Sequence, residues 1–312
     1  METFFRAVAD FFDLLTSIGW ASLGLALAFH LLRLGLRCVA WRNIIRAAYP
    51  KKAVPLWAVG GAYVAGVGVN SIVPARGGDA LKLFLARQRV EGSTYPTLGA
   101  TLLPETLLDS VFAAIIVGWA LASGSLPGVG DLLHLSTVDW SWPYRHQYAA
   151  AIVLSVLIIA GVLALVRYED RLAGFWDRVG QGFAILRDWR RYLLRVATWQ
   201  TASWVCRYAA VIWFLRAFDM PATARNAFVV LAVQSIATLL PITPGGIGTV
   251  QGLLVVAFKN KVAATTVVGF SVGMHVATVA VNVVVGFAAI GIMLKTFRWK
   301  RVVRSEKRLA EH

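Results

Sequence analysis

"TLLPITPGGIGTVQG", residues 238–252, interrupts one of the most apolar stretches of a 312-residue chain with two prolines and four glycines. Backbone N–H and C=O groups left open in hydrocarbon are costly, so such a break is tolerated only where it packs in protein or lines a wet path. The stretch therefore reads as the tip of a re-entrant hairpin. A second break, "SIVPARGGDALK" at 71–82, follows the apolar run 55–73. In both, Gly permits the left-handed backbone of a tight reversal, and Pro ends one helix or starts the next. Each break also frees the N-terminal N–H groups of a following short helix, a natural seat for a phosphate or carboxylate.

Composition sets the solvent. The chain is 58% hydrophobic with a mean hydropathy of +0.66, too apolar for an ordinary soluble domain. It reads as an all-α, polytopic integral membrane protein. Only 15% of residues are charged, yet the formal net charge is +15, so the polar surface is basic and faces anionic lipid headgroups. The basic residues flank apolar spans and form no stripe on a soluble module, which excludes nucleic acid as a partner. Cys38 and Cys206 fall in apolar spans without ligand spacing and read as packing residues. No His/Cys/carboxylate cluster has metal-ligand spacing, and no cofactor motif is present. "GGIGTVQG" misses GxGxxG by one place and lacks a Walker lysine. The N-terminus has no basic region ahead of its apolar run, and reads as uncleaved.

About 20 apolar residues cross a bilayer core as a helix. Stretches 17–41, 97–122, 147–167 and 193–217 meet this, and 263–294 is long enough for one tilted helix or for a break near "GFSVGMH". With 55–73 and 224–242, this makes about seven transmembrane-scale units, two of them Pro/Gly-tipped hairpins. Arg42, Arg46, Lys51 and Lys52, then Arg167 to Arg191, then Lys295 to Arg308 form three basic regions that read as cytoplasmic. Residues 123–146, with Trp140, Trp142 and Tyr144, read as an outer interface, and the acidic N-terminus as outside. The membrane expected is the cell (inner) membrane, with the C-terminus cytoplasmic.

That bookkeeping makes residues 55–91 leave the cytoplasm and return, and makes 224–261 enter and return from outside. The expected organisation is one membrane domain, 1–295. It comprises a first half-repeat (17–122), a connector (147–167) and an inverted second half-repeat (193–295). The amphipathic segment 168–192 lies on the cytoplasmic surface, its Leu172, Phe175, Trp176, Val179, Phe183 and Leu186 at helical spacing. A basic tail, 296–312, follows.

Charges within spans are the second signal, because at that depth they turn inward, pair, or line a path. His30, Arg33 and Arg37 share a face of the first span; Glu105 and Asp109 share a face of the 97–122 span; Asp79 and Lys82 follow the first tip; Arg207 lies in 193–217. Arg37 either faces the interior or snorkels to the cytoplasmic interface. Glu105 and Asp109 either form a structural pair with Arg33 or Arg76, or belong to a substrate path. His275 and Asn282 read as interhelical hydrogen-bonding residues, and "GFSVG" at 269–273 as a close-packing motif. The second tip offers Thr243, Thr249 and Gln251 with backbone amides in place of charge.

"NSIVPARGGDALKLFLARQ", the acidic span "TLLPETLLDSVFAAIIVGWAL" and "LLPITPGGIGTVQG", in this order, resemble the lysylphosphatidylglycerol synthase transmembrane-region family, also called flippase-like or UPF0104 proteins. The resemblance implies movement of a polar-headed lipid between leaflets, or a role beside an enzyme of lipid or glycolipid synthesis. By motif it points to Asn70, Pro74, Arg76, Gly77, Gly78 and Asp79. It also points to Glu105 and Asp109, and to Pro241, Pro244, Gly245, Gly246, Gly248 and Thr249. Aminoacyl transfer needs a separate soluble domain, and only a short basic tail follows Leu294, so no enzyme activity is expected.

The functional expectation is a translocase of an anionic or phosphate-bearing lipid. Arg33, Arg76 and Lys82 hold the phosphate, while Asp79, Glu105 and Asp109 steady the cations or accept protons. A secondary transporter of a small anion suits the inverted repeat equally well, and a non-transporting partner of a lipid-modifying enzyme is a third reading.

Overall fold

A computed structural model describes residues 18–73, 77–125, 169–239, 248–259 and 261–310, and among them all regular structure is helical. The elements are α1 (Trp20–Ala48), α2 (Leu56–Asn70), α3 (Gly77–Arg87), α4 (Tyr95–Ala100), α5 (Leu102–Ala122), α6 (Glu169–Gly182), α7 (Trp189–Tyr192), α8 (Thr198–Ala217), α9 (Ala224–Leu239), α10 (Thr249–Ala257) and α11 (Ala264–Ala310). Three helical stretches are long and apolar enough to cross a bilayer: Trp20–Ala48, Tyr95–Ala122 and Ala264–Leu294. The chain is an integral membrane protein. The 264–294 stretch is one continuous helix, with no break at "GFSVGMH". The expected span at 193–217 begins as a π-helical turn, Leu193–Ala197, and continues as α8, whose Gln200, Arg207 and Arg216 leave it more polar than the other three. The connector 147–167 and most of the outer loop 123–146 lie outside the described residues.

α1 and α8 form the most extensive helix contact, antiparallel, with Gly19 N–H donating to Ala217 O at 3.0 Å. At the other end Asn43 Nδ2 donates to Arg195 O at 2.7 Å. α5 starts beside the end of α1, where Trp41 Nε1 donates to Thr101 Oγ1 at 3.0 Å and Thr94 N–H to Tyr49 Oη at 3.1 Å. It finishes beside the start of α9, where Arg225 reaches Ser125 Oγ at 3.1 Å. α11 begins near the end of α8, with Phe270 edge-on to Phe218, and passes Arg89, which donates to Met293 O at 2.8 Å.

The short helices enter this frame from opposite ends. Arg42 Nε donates to Val54 O just before α2, and Lys52 pairs with Glu91 at 3.7 Å just after α3, so α2 and α3 start and finish at the same end. At 15 and 11 residues they are about 22 and 16 Å long, too short to cross a ~30 Å core. The far end of α2 stops at mid-bundle, where Asn282 Nδ2 donates to Ser71 Oγ at 3.1 Å and His30 Nε2 bonds Asn282 Oδ1 at 2.8 Å. α9 starts at the other end of the bundle and reaches mid-height at Gln234, which accepts from Arg207. The partners are exchanged: α11 packs on α2, whereas α5 packs on α9.

Glycine makes the close approaches possible. A Cβ on Gly78 would lie 2.0 Å from Gly66 O, and one on Gly68 would lie 2.7 Å from Gly286 Cα. Both are backbone contacts that no side chain can relieve, so α2 is pinned to α3 and to α11 at once. Gly273 of "GFSVG" does pack closely, against the Phe218 ring. Cys38 and Cys206 are buried and form no disulfide.

Candidate functional site

α5 divides its faces sharply. Leu103, Leu107, Val111 and Ile115, four residues apart, are exposed, as a lipid-facing stripe requires. Its other face carries Glu105 and Asp109 into the bundle. Arg37 of α1 meets both: Nη2 lies 3.0 Å from Glu105 Oε1 and 2.6 Å from Asp109 Oδ2, and Nη1 lies 3.0 Å from Asp109 Oδ1. Nε of Arg37 donates to Tyr63 Oη at 2.6 Å, and Tyr63 in turn donates to Glu105 Oε1 at 2.8 Å. The fork of Arg37 therefore holds one carboxylate bidentately and bridges to the next, a geometry that a point-charge ammonium cannot copy.

Lys82 arrives from α3 and donates to Glu105 Oε2 at 2.9 Å. Its Nζ sits 4.2 Å from the Trp41 ring centroid and 4.0 Å from that of Tyr63, a desolvated cation between two π faces. Glu105 and Lys82 are 4% and 5% exposed. Such a pair persists only with its remaining hydrogen bonds filled, and Glu105 fills them: Lys82, Arg37 and Tyr63 take its carboxylate, and Gln200 Nε2 donates to its backbone O at 2.7 Å. Trp204 Nε1 donates to Asp109 Oδ1 at 2.9 Å.

Two alternatives left open by the sequence are narrowed among the described residues, which do not include Arg76. Glu105 and Asp109 take Arg37 and Lys82 as partners; Arg33 has no hydrogen bond or ion pair among the described residues. Arg37 does not snorkel, because two carboxylates and a buried tyrosine hold it inside. Arg207 also lacks a carboxylate partner among the described residues. It donates to Gln234 Oε1 at 2.9 Å and stacks 4.7 Å from the Trp204 ring centroid.

At the first tip, Asn70 acts as a clasp. Its Oδ1 accepts from Gly78 N–H at 2.7 Å and its Nδ2 donates to Asp79 Oδ1 at 3.1 Å, tying the last residue of α2 to the first turn of α3. Gly77 would place a Cβ 2.8 Å from Val73. Pro74 and Arg76 lie outside the described residues, as do Pro241, Thr243, Pro244, Gly245 and Gly246 of the second tip. Beside them Gly248 has φ +87°, the left-handed conformation glycine adopts without strain. The Gln251 side chain accepts from its N–H at 2.7 Å, which commits Gln251 to capping α10. Thr249 opens that helix.

Arg33, Asp109, Arg207 and Asn282 each fall near the middle of their helices, so the polar layer lies at half height. Asn282 makes the interhelical bonds expected of it, whereas His275 makes none among the described residues. Sequence reasoning missed Trp41, Tyr63, Gln200 and Trp204. For Trp41, Gln200 and Trp204 the signal was present: Trp41 stands four residues after Arg37, and Gln200, Trp204 and Arg207 share one helical face.

A family described as the lysylphosphatidylglycerol synthase TM region matches residues 3–286 of the chain. A glycosyltransferase, AglD of Haloferax volcanii, is 25% identical over 263 residues, which cover 73% of this chain and 41% of that protein. The chain thus spans about two fifths of the length of that relative. No solved structure matches.

Proposed function

The chain belongs to the lysylphosphatidylglycerol synthase transmembrane-region family, and from that premise we propose that it is a lipid translocase. It moves an anionic or phosphate-bearing lipid between leaflets of the cell membrane, within a lipid or glycolipid pathway. The observation that carries the reading is the charged layer at half height. Cations from α1 and α3, Arg37 and Lys82, converge there on two carboxylates of α5, and Arg207 of α8 stacks beside them on Trp204. Charge at that depth is expensive, and its retention points to a polar path.

In this reading α2–α3 and α9–α10 are re-entrant hairpins that enter the membrane from opposite faces. The ion pair of Lys52 with Glu91 and the exchanged packing of α11 on α2 and α5 on α9 support an inverted repeat. The N-terminus is outside, the C-terminus is cytoplasmic, and α6 rests on the cytoplasmic surface with Phe175 and Trp176 exposed to lipid. A lipid headgroup crosses between the tips while its acyl chains stay in the bilayer. The charged groups are cations and the carboxylates that hold two of them, a set suited to binding an anion. The glycosyltransferase named among the relatives extends well beyond the matched region, consistent with a membrane part that serves a separate catalytic one.

Reconstitution with fluorescent phospholipids tests this. The expected result is translocation of an anionic lipid well above that of protein-free liposomes. Rates equal to the protein-free control across several anionic lipids overturn the reading.

A further inference from the structure

The geometry points to Arg33 and Arg207 as a paired clamp for a phosphate that carries two negative charges, a phosphate monoester in preference to a diester. The inference rests on the translocase reading and specifies its substrate.

The carboxylate oxygens of the layer are already taken. Glu105 uses one oxygen for Lys82 and the other for Arg37 and Tyr63; Asp109 uses one for Arg37 and the other for Arg37 and Trp204. Asp79, at the first tip, is held by Asn70. Among the described residues this leaves Arg33 with no partner and Arg207 with only the neutral Gln234 and the Trp204 ring. The two guanidinium groups are neighbours. The contacts of Gly19 with Ala217 and of Asn43 with Arg195 set the antiparallel register of α1 and α8. That register places Arg33 level with Trp204, one turn from Arg207, and the Arg33 charge acts on Arg207. His30, the remaining titratable group facing them, is occupied by Asn282.

Two like charges at half height without an anion between them are unfavourable, and each guanidinium offers a fork of donors suited to phosphate oxygens. One dianionic phosphate neutralises both; a diester leaves one cation unmatched. Trp204 and Gln234 brace Arg207 so that its fork is pre-set, and Asp109, the carboxylate whose charge reaches Arg33, is already bonded to Arg37 and Trp204.

The chemistry is shared by a lipid headgroup and by free phosphate, so the assay carries both. The full chain is reconstituted at pH 8, where a phosphate monoester holds about two charges (second pKa about 6). Phosphatidic acid, phosphatidylglycerol and inorganic phosphate are followed in parallel. The expected result is phosphatidic acid moving about tenfold faster than phosphatidylglycerol, the scale of one charge-assisted contact. Arg33→Gln and Arg207→Gln each abolish that preference, and Arg207→Lys, which keeps the charge, retains part of it and serves as the folding control. Equal rates for the two lipids, unchanged in Arg207→Gln, overturn the clamp and leave the translocase reading standing. Uptake of inorganic phosphate without lipid movement, lost in Arg207→Gln, keeps the clamp and overturns the lipid reading. Movement of none of the three overturns both.

Discussion

Replacing Glu105 by Gln keeps the shape of the side chain and removes one charge. The amide oxygen belongs on the side where Arg37 Nη2 and Tyr63 Oη donate, at 3.0 and 2.8 Å. The amide nitrogen then faces Lys82 Nζ, at 2.9 Å from the oxygen it replaces, donor against donor. Lys82, 5% exposed, is left as a buried cation whose nearest compensation is two aromatic rings. Removing one member of a buried pair costs about 3–5 kcal/mol, against ~1 kcal/mol for an ordinary hydrogen bond. At roughly 2–4 °C per kcal/mol this lowers the unfolding temperature by on the order of 10 °C. Thermal unfolding of the detergent-purified protein, read by tryptophan fluorescence, measures it, since Trp41 and Trp204 flank the cluster. Adding Lys82→Met to Glu105→Gln removes the orphaned charge and recovers about half the loss or more. A Glu105→Gln protein within about 0.5 kcal/mol of the parent, or a double variant no more stable than the single, refutes this account of the cluster.

Gly78→Ala drives a methyl group into Gly66 O and costs at least about 1–3 kcal/mol, whereas Gly118→Ala, with open space around it, raises helix stability by about 0.5–1 kcal/mol; the same melts compare them. Asn282→Ala breaks the link from His30 to Ser71 and costs about 1–3 kcal/mol, seen as faster hydrogen exchange at the end of α2. Lys52→Cys and Glu91→Cys react with an impermeant maleimide from the same face of the membrane as the C-terminal tail, because the two side chains pair; labelling from opposite faces contradicts the re-entrant reading. Arg76→Ala combined with Asp79→Ala removes charge from the first tip and slows lipid movement; a variant that transports at the parental rate assigns the path to other residues.

The long helices were legible because apolar runs of spanning length leave few alternatives. Arg37, Lys82, Glu105 and Asp109 stood out because charge within a span is rare. Their pairing was not legible. Which arginine meets Asp109 depends on the rotation of α1 against α5, which the Trp41–Thr101 bond helps to fix across a sequence separation that gives no local sign. Arg33, a helical turn from Arg37, shares its face, and only the packed register separates the bonded residue from its neighbour. Tyr63 and Trp41 escaped notice because an aromatic in an apolar helix reads as packing until the polar atom of its ring is placed. Gln251, read as a tip residue, caps its own helix, a role open to the third residue of a glycine-capped helix.

The proposed function puts a lipid headgroup in the half-height layer between the hairpin tips. A density map of the full chain in nanodiscs containing phosphatidic acid tests it most directly. The expected result is headgroup density within hydrogen-bonding distance of Arg33 and Arg207, continuous with acyl-chain density that runs out to the bilayer. A layer closed off from the bilayer, or a compact density without acyl chains between the two arginines, contradicts it.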